Sequence, residues 1–172
     1  MSIFELGAVG EFAGAILLFG SLVFVGFQIR QNTNATRAVS HHTITDAMNQ
    51  INFAIVKDEA VASLWLSGLN DNLFLDEIKR EQFNALLRAY MHVCDTMYYQ
   101  AQVGAGDQDL WKAEERYLGI ILNSKGGAAW WDENSSSVSS EFRKALEDII
   151  PRYVSSDTDA LGKRYGVPES DD

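Results

Sequence analysis

The sequence predicts an all-α protein: an N-terminal single transmembrane helix continuing into a long helix, followed by a compact soluble bundle of about five helices. Three observations carry this. Residues Phe12 to Phe27 read FAGAILLFGSLVFVGF, an apolar run whose one polar side chain is Ser21. Beyond it, apolar residues recur at steps of three and four, and no alternating run of useful length suggests a strand. No proline interrupts residues 1–150, so long helices are open to the backbone.

A helix rises about 1.5 Å per residue and a bilayer core is about 30 Å thick, so a span needs roughly 20 apolar residues. Phe12 to Phe27 is a little short. Leu6 to Gly10 supply the length at the cost of including Glu11. A carboxylate at a helix centre costs on the order of 3 kcal/mol and much less near the headgroups, so Glu11 fits near one interface or against a partner helix. A cleaved signal peptide would need a basic start and a small-residue cleavage site. Here the first eleven residues hold Glu5 and Glu11 and no Lys or Arg. The remaining alternative is a buried core helix of a soluble protein. Arg30, Arg37 and then Lys57 follow the run, so the positive-inside rule puts the N-terminus outside and the rest in the cytoplasm. The single cysteine, Cys94, rules out an intramolecular disulfide and fits a reducing compartment.

After Arg30 the stretch Gln31 to Arg37 is polar all round, and Ile44, Ala47, Met48, Ile51, Ala54 and Ile55 then mark one helix face. The helix is expected to run to about Val56. Asp58 is a candidate N-cap for a short helix through Trp65 and Leu66, ending at Gly68 before the turn-rich Asn70-Asp71-Asn72. Asp76 and Glu77 suit the first turn of the next helix. Its stripe is Ile78, Phe83, Leu86, Leu87, Tyr90, Met91, Cys94, Met97, Tyr98 and Ala101, and Gly104 and Gly106 end it. Asp107 or Asp109 caps a helix bearing Leu110, Trp111, Tyr117, Leu118, Ile121 and Leu122. Lys125-Gly126-Gly127 reads as a turn before Trp130-Trp131, and Ser135-Ser136-Ser137 as a loop. Ser139 or Ser140 caps a last helix through Phe142, Leu146, Ile149 and Ile150, with Pro151 near its end. The domains are therefore a transmembrane anchor at 1–29, a juxtamembrane helix at 30–57, a soluble bundle at 58–153 and an acidic mobile tail at 154–172.

The formal net charge is −10 and unevenly spread. Residues 28–57 carry a balance of +2, and residues 58–172 carry −10. Arg30 and Arg37 form a collar suited to anionic lipid. The acidic body argues against nucleic acid, which needs a basic face for its phosphates.

Candidate sites are few. Gly10 and Gly14 form a small-xxx-small pattern, with Ser21 seven residues on, and such a face lets two helices approach closely. Trp130 and Trp131 suit a protein interface, the alternative being that one ring packs in the core and the other covers a helix end. Arg88, His92 and Asp95 share a polar helix edge and suit a surface or partner contact. A Cys94–His92 nucleophile needs a base within reach in an electropositive setting, whereas Cys94 follows the apolar stripe as a core thiol. Neighbouring His41 and His42 point about 100° apart. We expect no carboxylate or thiol four residues on to complete a metal site, so they belong to a solvated collar. The sequence contains none of the common metal, phosphate-loop or hydrolase motifs, and Gly104-Ala105-Gly106 lacks the third glycine of a dinucleotide loop. No cofactor, metal or catalytic residue is expected.

Two segments are distinctive: Val25-Gly26-Phe27-Gln28-Ile29-Arg30-Gln31-Asn32-Thr33 closing the anchor, and Gly126-Gly127-Ala128-Ala129-Trp130-Trp131 ahead of the Phe142 helix. On these the chain resembles a family of short bacterial proteins of no established activity, over most of residues 5–150. The resemblance implies the anchor and the helical architecture only, and transfers no functional residue; the expected location is the bacterial inner membrane. The expected function is that of a non-catalytic accessory or scaffold subunit of a membrane complex. Its expected partners are membrane lipid and a membrane protein or a second copy. The alternatives are a membrane-bound sensor with a ligand pocket among Tyr90, Met91, Tyr98 and Trp111, and an enzyme of unfamiliar type.

Overall fold

The computed structural model describes residues 3–153; the expected tail at 154–172 lies outside them. Among the described residues the fold is all-helical: α1 (Ile3–Lys57), α2 (Glu59–Asp71), α3 (Glu77–Gln102), α4 (Gln108–Asn123), α5 (Lys125–Asn134) and α6 (Ser140–Ile149). Short 3-10 turns lie at Asn72–Phe74, Ser135–Ser137 and Ile150–Tyr153.

The chain divides into two compact units, Met1–Val39 and Ser40–Asp172. The first is the N-terminal part of α1 alone. Its apolar side chains from Phe12 to Ile29 are 48–72 % exposed. Ser21 Oγ donates to the Leu17 carbonyl at 2.8 Å, and Thr33 and Thr36 donate to the carbonyls of Ile29 and Asn32 at 2.9 Å. A hydroxyl satisfied by its own helix is the cheapest polar group to keep in an apolar run. One described helix, from Gly10 onward, is long and apolar enough to cross a membrane, and none of its apolar window is buried.

The second unit begins inside the segment expected as juxtamembrane helix, because the C-terminal part of α1 is built into the core. Ile44 is buried, and Met48, Ile51 and Ile55 pack against the core cluster. Asp58 ends α1 and caps α2, accepting from Ala60 N at 2.8 Å. Helix α2 does not end at Gly68 but runs on to Asp71. Gly68 serves close packing instead of chain reversal: a Cβ there would overlap the Phe83 ring. Asp71 caps the following 3-10 turn through Leu73 N at 3.1 Å.

The N-cap of α3 is Asp76, accepting from Lys79 N at 2.9 Å. Helix α3 is the central strut, burying Phe83, Leu87, Tyr90, Met91, Cys94, Met97 and Ala101, whereas Ile78 at its start is 73 % exposed. Gly104 takes the positive φ of 70° that reverses the chain. Asp107 caps α4, accepting from Asp109 N at 2.8 Å. Ser124 then serves two helices: its Oγ donates to the Ile121 carbonyl at 2.6 Å and accepts from Gly127 N at 3.1 Å.

The Gly126-Gly127 pair is not a turn but the first turn of α5. A Cβ on Gly126 would collide with the Gly68 carbonyl oxygen, and one on Gly127 with the Ile121 carbonyl. Side-chain-free positions let the two backbones touch. Ser139 caps α6, accepting from Phe142 N at 3.3 Å, and Phe142, Leu146 and Ile149 bury its inner face. Asn123 Nδ2 ties the last turn down by donating to the carbonyls of Gly119 and Ile150 at 2.7 and 2.9 Å.

Candidate functional site

Three polar features of the bundle bear on a candidate site. The first is a ladder along the edge of α3. Arg88 donates to Asn134 Oδ1 at 3.4 Å, His92 Nε2 lies 3.1 Å from the Ser137 carbonyl, and Asp95 accepts from Ser139 N and Oγ at 2.8 and 2.7 Å. The spacing of these three on one helix edge was legible in the sequence. Their partners, some 45 residues on, were not. The ladder strings the α5–α6 connection along α3, and Asp95 satisfies the very residue that caps α6.

The second feature is inside. Tyr90 donates its hydroxyl to the Glu114 carboxylate, next to Cys94, which has no exposed surface. Burial, reinforced by the nearby Cys94 and Glu114, pushes the Tyr90 phenol well up. Burial and then the Glu114 charge push the Cys94 thiol well up as well. A thiol so held stays protonated and is no nucleophile. His92, on the exposed edge with its Nε2 near Ser137, is not placed to act as its base. The Tyr90–Glu114 bond joins α3 to α4, and sequence inspection missed it because Glu114 sits on an otherwise polar stretch.

The third feature is an open groove of about 460 Å³ between α3, α4 and α6. Its apolar lining is Tyr98, Trp111, Ala145 and Ile149; its polar lining includes Glu115, Glu141, Lys144, Asp148 and Arg152. Tyr98 meets Trp111 edge-on at 5.1 Å between centroids, and Phe142 backs both rings at 5.6 and 5.9 Å. Arg152 Nη1 is 3.1 Å from Glu115 Oε1. Of the four residues expected around a ligand, Tyr98 and Trp111 line this groove. Tyr90 and Met91 are buried in the core, and Trp111 is itself only 5 % exposed.

The other expected residues are placed as follows. Trp130 is fully buried, with its indole N–H unpartnered, and Trp131 is half-buried against the core. Nothing approaches Gly10 or Gly14 within 4 Å of where a Cβ would lie, and Ser21 is exposed. Arg30 and Arg37 are exposed along α1. The expectation for His42 needs correcting: Asp46 stands four residues on, and their side chains meet at 3.4 Å. That is one carboxylate and one imidazole, and among the described residues no group of three or more His, Cys, Asp or Glu side chains is disposed to hold a metal ion.

No protein family model, curated protein or solved structure matches the chain. Among the described residues, fold and composition define its class: an all-helical protein with one candidate membrane-spanning helix and a helical bundle.

Proposed function

We propose that this chain is a non-catalytic membrane-anchored protein, an accessory or scaffold subunit of a membrane complex. The observation that carries the reading is the exposed apolar surface of α1 from Phe12 to Ile29. Eleven large apolar side chains left in water would cost on the order of 20 kcal/mol, and a bilayer removes that cost. Arg30 and Arg37 follow at the position of a headgroup collar, which orients the N-terminus outward and the bundle toward the cytoplasm. On this reading the membrane is the bacterial inner one.

The non-catalytic part of the reading is supported by the fate of the reactive side chains. Cys94 is buried and protonated, and His92 and Asp95 hold the α5–α6 connection. Gly10, Gly14 and Ser21 on the anchor and the half-buried Trp131 on the bundle are the candidate contacts for a membrane-protein partner or a second copy. The test is capture of the tagged protein from membranes in gentle detergent at native expression, after a carbonate wash that should leave it in the membrane fraction. A stoichiometric membrane partner is the expected result. Release by carbonate would remove the anchor, and a protein recovered alone would remove the scaffold. The Tyr98–Trp111 groove favours a second reading, a membrane-bound sensor that binds a small ligand in its bundle.

A further inference from the structure

We propose that the outer face of α3 docks a second copy of this chain, the two α3 helices lying antiparallel about a two-fold axis between Ala89 and His92. This surface gives the scaffold reading its partner, and it rests on that reading for the membrane that confines both copies.

Helix α3 buries one side in the core, and alternate steps of four and three pick out a row along the other, from Ile78 to Val103 just past its end. Ile78, Tyr99 and Val103, toward the two ends of the row, are 73, 59 and 56 % exposed, and Ala85 and Ala89 in its middle are exposed too. No Lys, Arg, Asp or Glu stands in the row, although the chain is 22 % charged. A helix face left in water is ordinarily charged or polar. An uncharged row of this period, with charges beside it, is the pattern that a second helix covers. Thr96 Oγ1 donates to the His92 carbonyl at 2.9 Å, so its hydroxyl is satisfied and its methyl group is left for the partner.

The occupant follows from self-complementarity. A two-fold interface sets residue i against j and j against i. Antiparallel pairing about the middle of the row sets Ile78 against the partner's Val103 and Ala85 against the partner's Thr96. Gln82 then meets the partner's Tyr99, amide to hydroxyl. Beside the row, the same register brings Arg88 to the partner's Asp95 on one edge and the half-buried Leu86 to the partner's Val93 on the other. Opposite charges meet, and apolar meets apolar. In a parallel pair Arg88 would face Val93 and Asp95 would face Gln100, so both matches are lost. Both charges are available: Arg88 makes one 3.4 Å contact with Asn134, and Ser139 occupies two of the roughly four acceptor positions of the Asp95 carboxylate. The α5–α6 connection borders the row at His92 and leaves Ala85, Ala89 and Thr96 exposed. One helix face is smaller than the roughly 800 Å² a side of a standard interface. Confinement to one membrane supplies the effective concentration that such a face needs.

The experiment is disulfide trapping in native membranes of two differently tagged full-length copies, one carrying Ala85→Cys and the other Thr96→Cys. Cys94 has no exposed surface, so the parent chain is the blank. Directly opposed positions fall within disulfide reach, whereas two copies of Ala85→Cys lie about 16 Å apart along the helix axis. Mild oxidation should convert most of the mixed pair to a dimer carrying both tags, and little of Ala85→Cys alone. Ala89→Lys in both copies sets two ammonium groups near the two-fold axis and should abolish the cross-link. All three positions are exposed, so the variants should melt as the parent does. Where one misfolds, Ile78→Cys with Val103→Cys reads the same register. Absence of the mixed cross-link, cross-linking of Ala85→Cys to itself or to another protein, or survival of the cross-link in Ala89→Lys overturns the proposal. Carbonate retention and partner capture need none of these cysteines, so failure here and failure of the anchored-scaffold reading are separable.

Discussion

The two units of this chain contain similar apolar side chains put to opposite use. From Phe12 to Ile29 the apolar residues surround α1 on every side and stay exposed. From Ser40 onward they lie in stripes, and Phe83, Leu87, Met91, Leu118, Trp130, Phe142 and Leu146 lose almost all contact with solvent. The difference lies in pattern more than in composition. A stripe can be covered by neighbouring helices of the same chain, whereas a helix apolar all round needs a surrounding apolar medium. The same contrast predicts where a mutation is felt.

The largest effect should follow from emptying the core. Phe142 is fully buried and backs both Tyr98 and Trp111, so Phe142→Ala should cost the bundle about 3–5 kcal/mol. Phe19→Ala, in the exposed run, should leave bundle melting unchanged. Circular dichroism melts of the two variants in the same detergent measure the contrast. If Phe19→Ala lowers the midpoint as Phe142→Ala does, the anchor belongs to the cooperative core and the comparison fails.

A smaller effect separates two kinds of glycine. Gly126→Ala pushes a methyl group into the Gly68 carbonyl, and overpacking against backbone typically costs about 1–3 kcal/mol. Gly14→Ala meets nothing and gains helix propensity, up to about 1 kcal/mol in α1 itself. Urea midpoints of the bundle should fall for the first and hold for the second. A silent Gly126→Ala would mean that α2 and α5 are looser than their backbone contact implies.

Gly126 also marks the limit of what sequence inspection reveals. The helical period, the end of α1 near Lys57 and the cap at Asp58 are local signals, and they were legible, while the caps at Asp107 and Ser139 were each narrowed only to two neighbouring candidates. The role of Gly126-Gly127 is not local. Two glycines after Lys125 look like a turn until Gly68, nearly 60 residues earlier, is seen to press its carbonyl against them. Gly68 misleads for the same reason, since its missing side chain makes room for Phe83. Of the groove, Tyr98 and Trp111 could be guessed from their helical faces, but Glu141 and Asp148 lie on the solvent side of α6, where spacing alone reads as an ordinary charged surface. Arg88, His92 and Asp95 announce themselves as a set without naming their partners.

The smallest effect concerns an ion pair that reaches a buried carboxylate. Asp71 is buried and bonded to Lys125, and it also accepts from Leu73 N at 3.1 Å. The Lys125 bond, with help from the Leu73 amide and against the opposing effect of burial, holds its carboxyl below the ordinary value of 3.8. A carboxyl that is more acidic in the folded state stabilises that state above its unfolded pKa, and the contribution disappears as pH falls through the folded value. Asp71→Asn should therefore lower the melting midpoint at pH 7, and the gap to the parent should close as the pH drops below about 4. Asparagine can still accept from Leu73 N, so the difference isolates the charge. Lys125 is 68 % exposed at its side chain, so the effect should stay well under that of Phe142→Ala. A gap that persists unchanged to pH 2.5 would show that Asp71 acts through shape and hydrogen bonding and not through its charge.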